Sequence, residues 1–232
     1  MILERKTEEI VDKKTIVHDR ILRLIGKTEE FENYEEMTAE EMFEALYHKY
    51  IQRDGADSLL KYIQSTDFYS APARTRYHGS YKGGLVEHSL HVYYCYKSYL
   101  KRCSVGYGVK MSEESIALVS LMHDLCKAGV YKTEMRNKKI DGVWKQVPTY
   151  VFEDEMPLGH GQKSAYLVMQ HCQLSPVEYA AIAFHMGCFD GCVPNNVGQT
   201  FSMYPEAFAL SVADQEATYF VENEQWVQRN NL

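Results

Sequence analysis

His123 and Asp124 stand side by side in the largely apolar stretch from Ala117 to Lys127. A neutral imidazole beside a carboxylate suits a hard-to-borderline divalent cation. An apolar helix has little reason to bury such a pair alone, because an unpaired buried carboxylate is expensive unless a cation or partner compensates it. His88, His160, His185 and Asp214 each fall inside or beside an expected helix. Together these side chains offer enough nitrogen and oxygen ligands for one or two metals.

The elements that must position these residues are mostly helical. Residues 8–25 place Val11, Val17, Ile21 and Leu24 at helical intervals, which predicts an amphipathic helix. Thr38-Ala-Glu-Glu41 is a capping box opening another, with Met42, Phe43, Leu46, Tyr47 and Tyr50 on its buried side. A short helix is expected after Ser58. From Ala71 to Gly84 loop formers dominate, so the chain crosses a surface before a helix that starts near Leu85 and presents His88. Ser112 is the N-cap of the next helix, which is expected to run through His123 and Asp124 and stop near Gly129.

Residues 131–153 change character, with Thr, Val, Tyr, Trp and Phe flanking Asp141-Gly142, the strongest hairpin signal in the chain. This predicts a small β-hairpin inserted into a helical domain. Ser175-Pro-Val-Glu178 combines an N-cap, a proline at the first helical position and a capping glutamate, which fixes the start of the helix bearing His185. A loop from Gly187 to Met203 is expected to lead into a last helix from Pro205 through Asp214 to Val221. The expected fold class is all-α, a helical bundle with an N-terminal helical extension and the inserted hairpin.

Net charge of −7 argues against a protein that coats nucleic acid through a large non-specific surface. The charge is unevenly spread: Glu29 to Glu44 holds eight glutamates and no Lys or Arg, whereas Lys127 to Lys145 holds six basic residues against Glu134 and Asp141. Solvated surface explains both runs, and the basic one also suits a phosphorylated substrate. No stretch approaches the roughly 20 apolar residues of a membrane span, and the start lacks a secretory apolar region. A cytoplasmic location without membrane association is expected. The six cysteines lack the dense spacing of a disulfide scaffold, and Cys188 with Cys192 has too few similar neighbours for a zinc knuckle.

The ordered pattern of chemistry-bearing residues resembles the HD-domain superfamily of metal-dependent phosphohydrolases. The resemblance rests on His88 in Gly83-Gly-Leu-Val-Glu-His88, on His123-Asp124 with Lys127 three positions on, and on Asp214 in Ala213-Asp-Gln-Glu216. It spans roughly residues 68–220. His160 and His185 fall where binuclear members place extra ligands, so the binuclear type is implied. The phrasing from Phe68 to Ala73, followed by the segment ending at His88, most resembles bacterial HD-domain exoribonucleases that trim RNA from its 3′ end. Those enzymes carry an OB-fold ahead of the HD domain, whereas here the N-terminal region reads as helices. The division implied is 1–67 as an N-terminal helical region packed on the core and 68–232 as the HD domain.

Two divalent ions about 3.5 to 4 Å apart can share a carboxylate and a hydroxide and brace both oxygens of an in-line phosphoryl displacement. Asp124 is the candidate bridge. His88, His123 and Asp214 would complete one metal and His160 with His185 the other, each imidazole neutral. Mn or Fe suits such a site best, and Mg, Ni, Zn or Co is compatible with it. Lys127 would offer a cation to a nonbridging phosphate oxygen, with Arg74, Arg76 and Lys82 as further candidates for substrate binding. His91 shares nearly the same helix face as His88 and reads as support or packing. His18, His48, His78 and His171 read as surface or local hydrogen-bonding residues, Cys126 as a small buried residue, and the tyrosines Tyr93, Tyr94, Tyr96 and Tyr99 as core or interface.

The expected function is hydrolysis of a phosphoester in a nucleotide, cyclic dinucleotide or short nucleic acid. Two alternatives stand beside it. Some HD-superfamily proteins use a di-iron centre of the same ligand set to oxygenate C–C or C–P bonds, and ligand softness does not separate iron from manganese. A non-catalytic binding module with metals as staples is the other. Homo-oligomerisation through the aromatic helices is compatible with the sequence.

Overall fold

The computed structural model of the chain describes residues 37–75, 79–190 and 194–223. The amphipathic helix expected over 8–25 lies outside the described residues, as do His18, Arg76, His78 and Cys192. What is described folds mostly as helices around one two-stranded antiparallel hairpin.

Thr38 Oγ1 accepts from the Glu41 backbone N–H while the Glu41 carboxylate accepts from the Thr38 N–H. This reciprocal cap opens α1 (Ala39–Tyr50), which buries Met42, Phe43, Leu46 and Tyr47, residues that recur at three- and four-residue intervals and so share a face. α2 (Ala56–Ser65) begins two residues ahead of Ser58 and buries Leu59, Leu60 and Ile63. α3 (Gly84–Tyr107) is 24 residues long, and every residue from Gly84 to Tyr96 is buried. A helix buried all round is central. Tyr93, Tyr94 and Tyr96 are accordingly core residues.

Ser112 caps α4 (Glu113–Met122), its hydroxyl accepting from the Ser115 N–H. The helix expected to continue to Gly129 ends earlier: His123 is its C-cap, Asp124 leaves helical geometry at φ −107° and ψ 17°, and Leu125–Lys127 forms a 3-10 turn. In that tighter winding residues three apart eclipse one another. The change of winding therefore stacks Lys127 over Asp124, which a continuous α-helix would offset.

β1 (Tyr131–Ile140) pairs with β2 (Val143–Phe152) through the turn Asp141-Gly142, with φ of 51° and 83°. Positive φ at both central residues is the type I′ geometry that matches strand twist, and Gly142 adopts it without steric cost. α5 (His160–Met169) follows, then α6 (Pro176–Phe184), whose capping box Ser175–Glu178 matches the sequence reading. Where a loop was expected from 187 to 203 there is a 3-10 turn, Gly187–Asp190, and a further helix, α7 (Pro194–Met203). Pro194 at its first position suits a helix start, Val197 is buried, and Phe201 packs edge-on to Phe208 at 5.6 Å between ring centres. Polar and glycine residues concealed that one apolar stripe.

The last helix, α8 (Pro205–Glu216), passes into a π-helical turn, Ala217–Val221, ahead of Glu222. α3 packs against α1, α4, α8 and the π turn, and α6 packs against α5 and α8. One continuous core runs from Met42 in α1 to Val221, so α1 and α2 share it with the elements beyond residue 68. No described helix is long and apolar enough to cross a membrane.

Candidate metal centre

His123 and His185 cap the C-termini of α4 and α6, and one local device fixes both. In each, Nδ1 lies 2.7 Å from the carbonyl three residues back, Ser120 for His123 and Ile182 for His185. A helix end leaves such carbonyls without an intrahelical partner. Because a carbonyl only accepts, Nδ1 donates and the neutral ring carries its lone pair on Nε2. His88, from the first turns of α3, has Nδ1 2.8 Å from Glu222 Oε1, so its Nε2 also faces inward. His160 opens α5 with Nδ1 3.2 Å from Cys126 Sγ.

The inward nitrogens converge on Asp124. Its Oδ1 is 2.6 Å from His160 Nε2 and 3.6 Å from His185 Nε2. Its Oδ2 is 3.4 Å from Nε2 of both His88 and His123. His88 Nε2 lies in addition 3.1 Å from Asp214 Oδ1 and 3.3 Å from His123 Nε2. Lys127 Nζ donates to Asp124 Oδ2 at 2.5 Å.

These separations fit a metal. Donors bound to one ion at about 2.0 to 2.2 Å stand about 3.0 to 3.4 Å apart. His88, His123 and Asp124 form one buried group that could hold a metal ion, and Asp124, Cys126 and His160 form a second. His185 Nε2 is buried with no hydrogen-bond partner among the described residues, its distance from Asp124 being too long for one. A buried lone pair turned towards a carboxylate is unfavourable unless a positive charge lies between them.

The electrostatics follow from that crowding. Burial opposes ionisation of Asp124, but Lys127, His123 and His160 outweigh it and hold the carboxyl well below its ordinary range. Asp214 is likewise depressed, burial being overcome by His88. Burial alone would lower His88, yet Glu222 and Asp214 lift it to about 10. Burial is the main cause that pushes His123 down, aided by the neighbouring His185 and His88 rings against the pull of Asp124.

No family model matches the chain, and no curated protein or solved structure matches it. The function of the centre therefore rests on the chemistry of its own residues.

Of the residues singled out in the sequence, His88, His123, Asp124, His160, His185, Asp214 and Lys127 meet in one place, delivered by α3, α4, α5, α6, α8 and the 3-10 turn. Lys82 is exposed ahead of α3. Arg74 donates to Thr218 Oγ1 at 3.1 Å, and Arg76 lies outside the described residues. Two contributors were not read from the sequence. Cys126, taken for packing alone, has its sulfur against His160, and its position two residues past Asp124 was the available signal. Glu222 accepts from both His88 and His91, the latter at 2.9 Å. His91 supports the centre through that carboxylate.

Proposed function

We propose that the chain is a metal-dependent phosphohydrolase of the HD type, holding two divalent ions, manganese or iron, and cleaving a phosphoester in a nucleotide, cyclic dinucleotide or short nucleic acid. One observation carries this reading. The two oxygens of Asp124 address separate donor sets, Oδ2 towards His88 and His123, with Asp214 beside His88, and Oδ1 towards His160 and His185. A carboxylate placed between two nitrogen-rich sets suits a bridge between ions. Bound there, two ions would supply Lewis acidity and a water acidified to near-neutral pKa.

The chain's own groups do the rest. The buried helix ends of α4 and α6 hold His123 and His185 in one tautomer, so the donor atoms need no reorientation. Burial excludes bulk water from Asp124, which strengthens every charge interaction around it. Lys127 keeps its proton: burial works against it, but Asp124 beside it raises the ammonium above its ordinary range. Its ammonium beside Asp124 is placed to meet a nonbridging phosphate oxygen at the centre's edge.

The test is metal analysis of purified protein together with release of product from bis(p-nitrophenyl) phosphate and a panel of nucleotides in Mn(II). Two equivalents of metal and metal-dependent turnover are expected. Folded, metal-replete protein that turns over nothing on the panel, or iron-loaded protein that consumes oxygen with a polyol or phosphonate, overturns the reading.

A further inference from the structure

The hairpin is unusual for its exposure and its attachment. β1 begins at Tyr131, four residues past Lys127 and near enough to feel its charge and that of Asp124, and Tyr131 pairs with Phe152 at the end of β2, so the base of the hairpin adjoins the candidate metal centre. Ten residues per strand at about 3.3 Å each make an arm about 30 Å long. Tyr131 anchors its base, donating through its hydroxyl to the Ala73 carbonyl at 3.2 Å and meeting the Phe152 ring at 5.8 Å.

Residues opposite one another in register share a face. Lys139 opposes Trp144, Met135 opposes Pro148, Thr133 opposes Tyr150 and Tyr131 opposes Phe152. One face therefore carries Trp144 near the tip and Met135, Pro148, Tyr150, Tyr131 and Phe152 towards the base, with the polar pair Asn137 and Gln146 between them. Trp144 is 68% exposed and Phe152 58%, although burial elsewhere would favour both.

The other face concentrates charge. Lys132 pairs with Glu153 and Arg136 with Glu134, but Lys138 and Lys145 on that face, and Lys139 beside Trp144 on the aromatic one, form no ion pair among the described residues. Lys138 directly opposes Lys145, and like charges so placed destabilise a ribbon. An anion shared between them would remove that penalty. In a chain of net charge −7, a local knot of unpaired lysines around an exposed indole selects a polyanion that also offers flat rings.

We infer that the Tyr131–Phe152 hairpin is an arm for single-stranded nucleic acid, its bases stacking along the face from Trp144 to Phe152 and its phosphates meeting Lys138, Lys139 and Lys145. Stacking on aromatic side chains with lysines tracking the backbone is how proteins hold single strands without base readout. An anionic membrane would use the lysines and the tip, but has no use for an aromatic face that continues down to the metal centre. The inference rests on the phosphohydrolase reading only for the fate of the strand, because the arm delivers it to Asp124 and Lys127. Binding itself is independent of metal.

The experiment is fluorescence anisotropy of labelled oligo(dT) and oligo(U), each about 12 nucleotides long, with the full chain in chelator, where hydrolysis cannot contribute. Binding of either strand supports the arm, and the preferred one identifies the sugar. The triple variant Lys138→Gln, Lys139→Gln, Lys145→Gln is expected to reduce the slope of log affinity against log salt by about 2, from about 0.7 per phosphate contact. Trp144→Ala is expected to weaken binding roughly 5- to 100-fold. In a Trp226→Phe background, quenching of the remaining indole by added strand reports contact without altering the hairpin. Absence of binding by the wild-type chain, unchanged affinity and salt slope in the triple variant, or binding to phosphatidylglycerol vesicles with no strand binding overturns the arm. Those results leave the metal analysis untouched, so the two readings fail separately.

Discussion

Glu222 Oε1 lies 2.8 Å from His88 Nδ1 across 134 residues of sequence. The same oxygen accepts from His91 Nδ1 at 2.9 Å, so one carboxylate behind the centre orients the candidate ligand His88 and ties down the ring one turn along α3. Outer partners of this kind typically account for 10- to 100-fold in metal affinity. Glu222→Ala is expected to weaken Mn(II) binding by about that factor, and Glu222→Gln, which keeps an acceptor oxygen, by less. Isothermal titration of metal into chelated protein measures both. Equal affinity in wild type and Glu222→Ala would show that His88 needs no such support.

Why Glu222 escaped the sequence reading is instructive. Thr38 with Glu41, Ser175 with Glu178 and the Asp141-Gly142 turn were all legible, because their partners lie within three residues and their chemistry is local. The six candidate ligands were legible as residue types in order. Glu222 acts on His88 only through the packing of the π turn on α3, and no periodicity connects positions that far apart. The α7 helix was missed for a related reason: its stability comes from Val197 and Phe201 meeting the rest of the fold, while its composition reads as loop. The unwinding at Asp124 was hidden too, since nothing in Leu125-Cys-Lys127 opposes a helix and the break serves the placement of a carboxylate and an ammonium.

Asp124 touches every donor set, and its replacement should separate metal binding from folding. Asp124→Asn retains size and hydrogen-bonding capacity but removes the charge that offsets Lys127 and the imidazoles. The expected result is fewer than two metal equivalents and at least about a 100-fold loss of turnover, read by elemental analysis and phosphodiester hydrolysis. Retained turnover would remove Asp124 from the chemistry.

Acid stability should depend on a cluster outside the candidate metal centre. Arg53 donates to Glu178 at 2.6 Å and to Glu114 at 3.3 Å, tying the loop after α1 to the starts of α6 and α4. Burial would raise Glu178, yet the bonds from Arg53 and the Ser175 backbone bring it down to about 2 from an ordinary 4.5. A depressed carboxyl stabilises the fold above its unfolded value and loses that contribution as pH falls through the folded one. Stability should therefore fall between about pH 4.5 and pH 2. Glu178→Gln is expected to cost about 3 kcal/mol near neutrality and to flatten this part of the curve in urea melts across pH. An unchanged acid limb in the variant would place the acid sensitivity elsewhere.

Gly161 and Gly198 are both helical glycines, and their contrast tests whether the approach of α5 to α6 sets the second donor pair. A Cβ at Gly161 would sit 2.5 Å from the Ala183 carbonyl oxygen and 2.6 Å from that of Ile182. Both are backbone atoms of the turn that carries His185, so the added methyl must push α5, and His160 with it, away from α6. Gly161→Ala is expected to destabilise the fold by about 1 to 3 kcal/mol and to weaken the metal-binding step that depends on His160 and His185. A Cβ at Gly198 meets nothing within 4 Å, so Gly198→Ala on exposed α7 is expected to stabilise by about 0.5 to 1 kcal/mol through helix propensity alone. Thermal melts with and without Mn(II) distinguish the pair: the metal-induced rise in Tm should shrink in Gly161→Ala and persist in Gly198→Ala. A full metal-induced rise in Gly161→Ala would mean that the spacing of α5 and α6 is not what holds His160 and His185 in place.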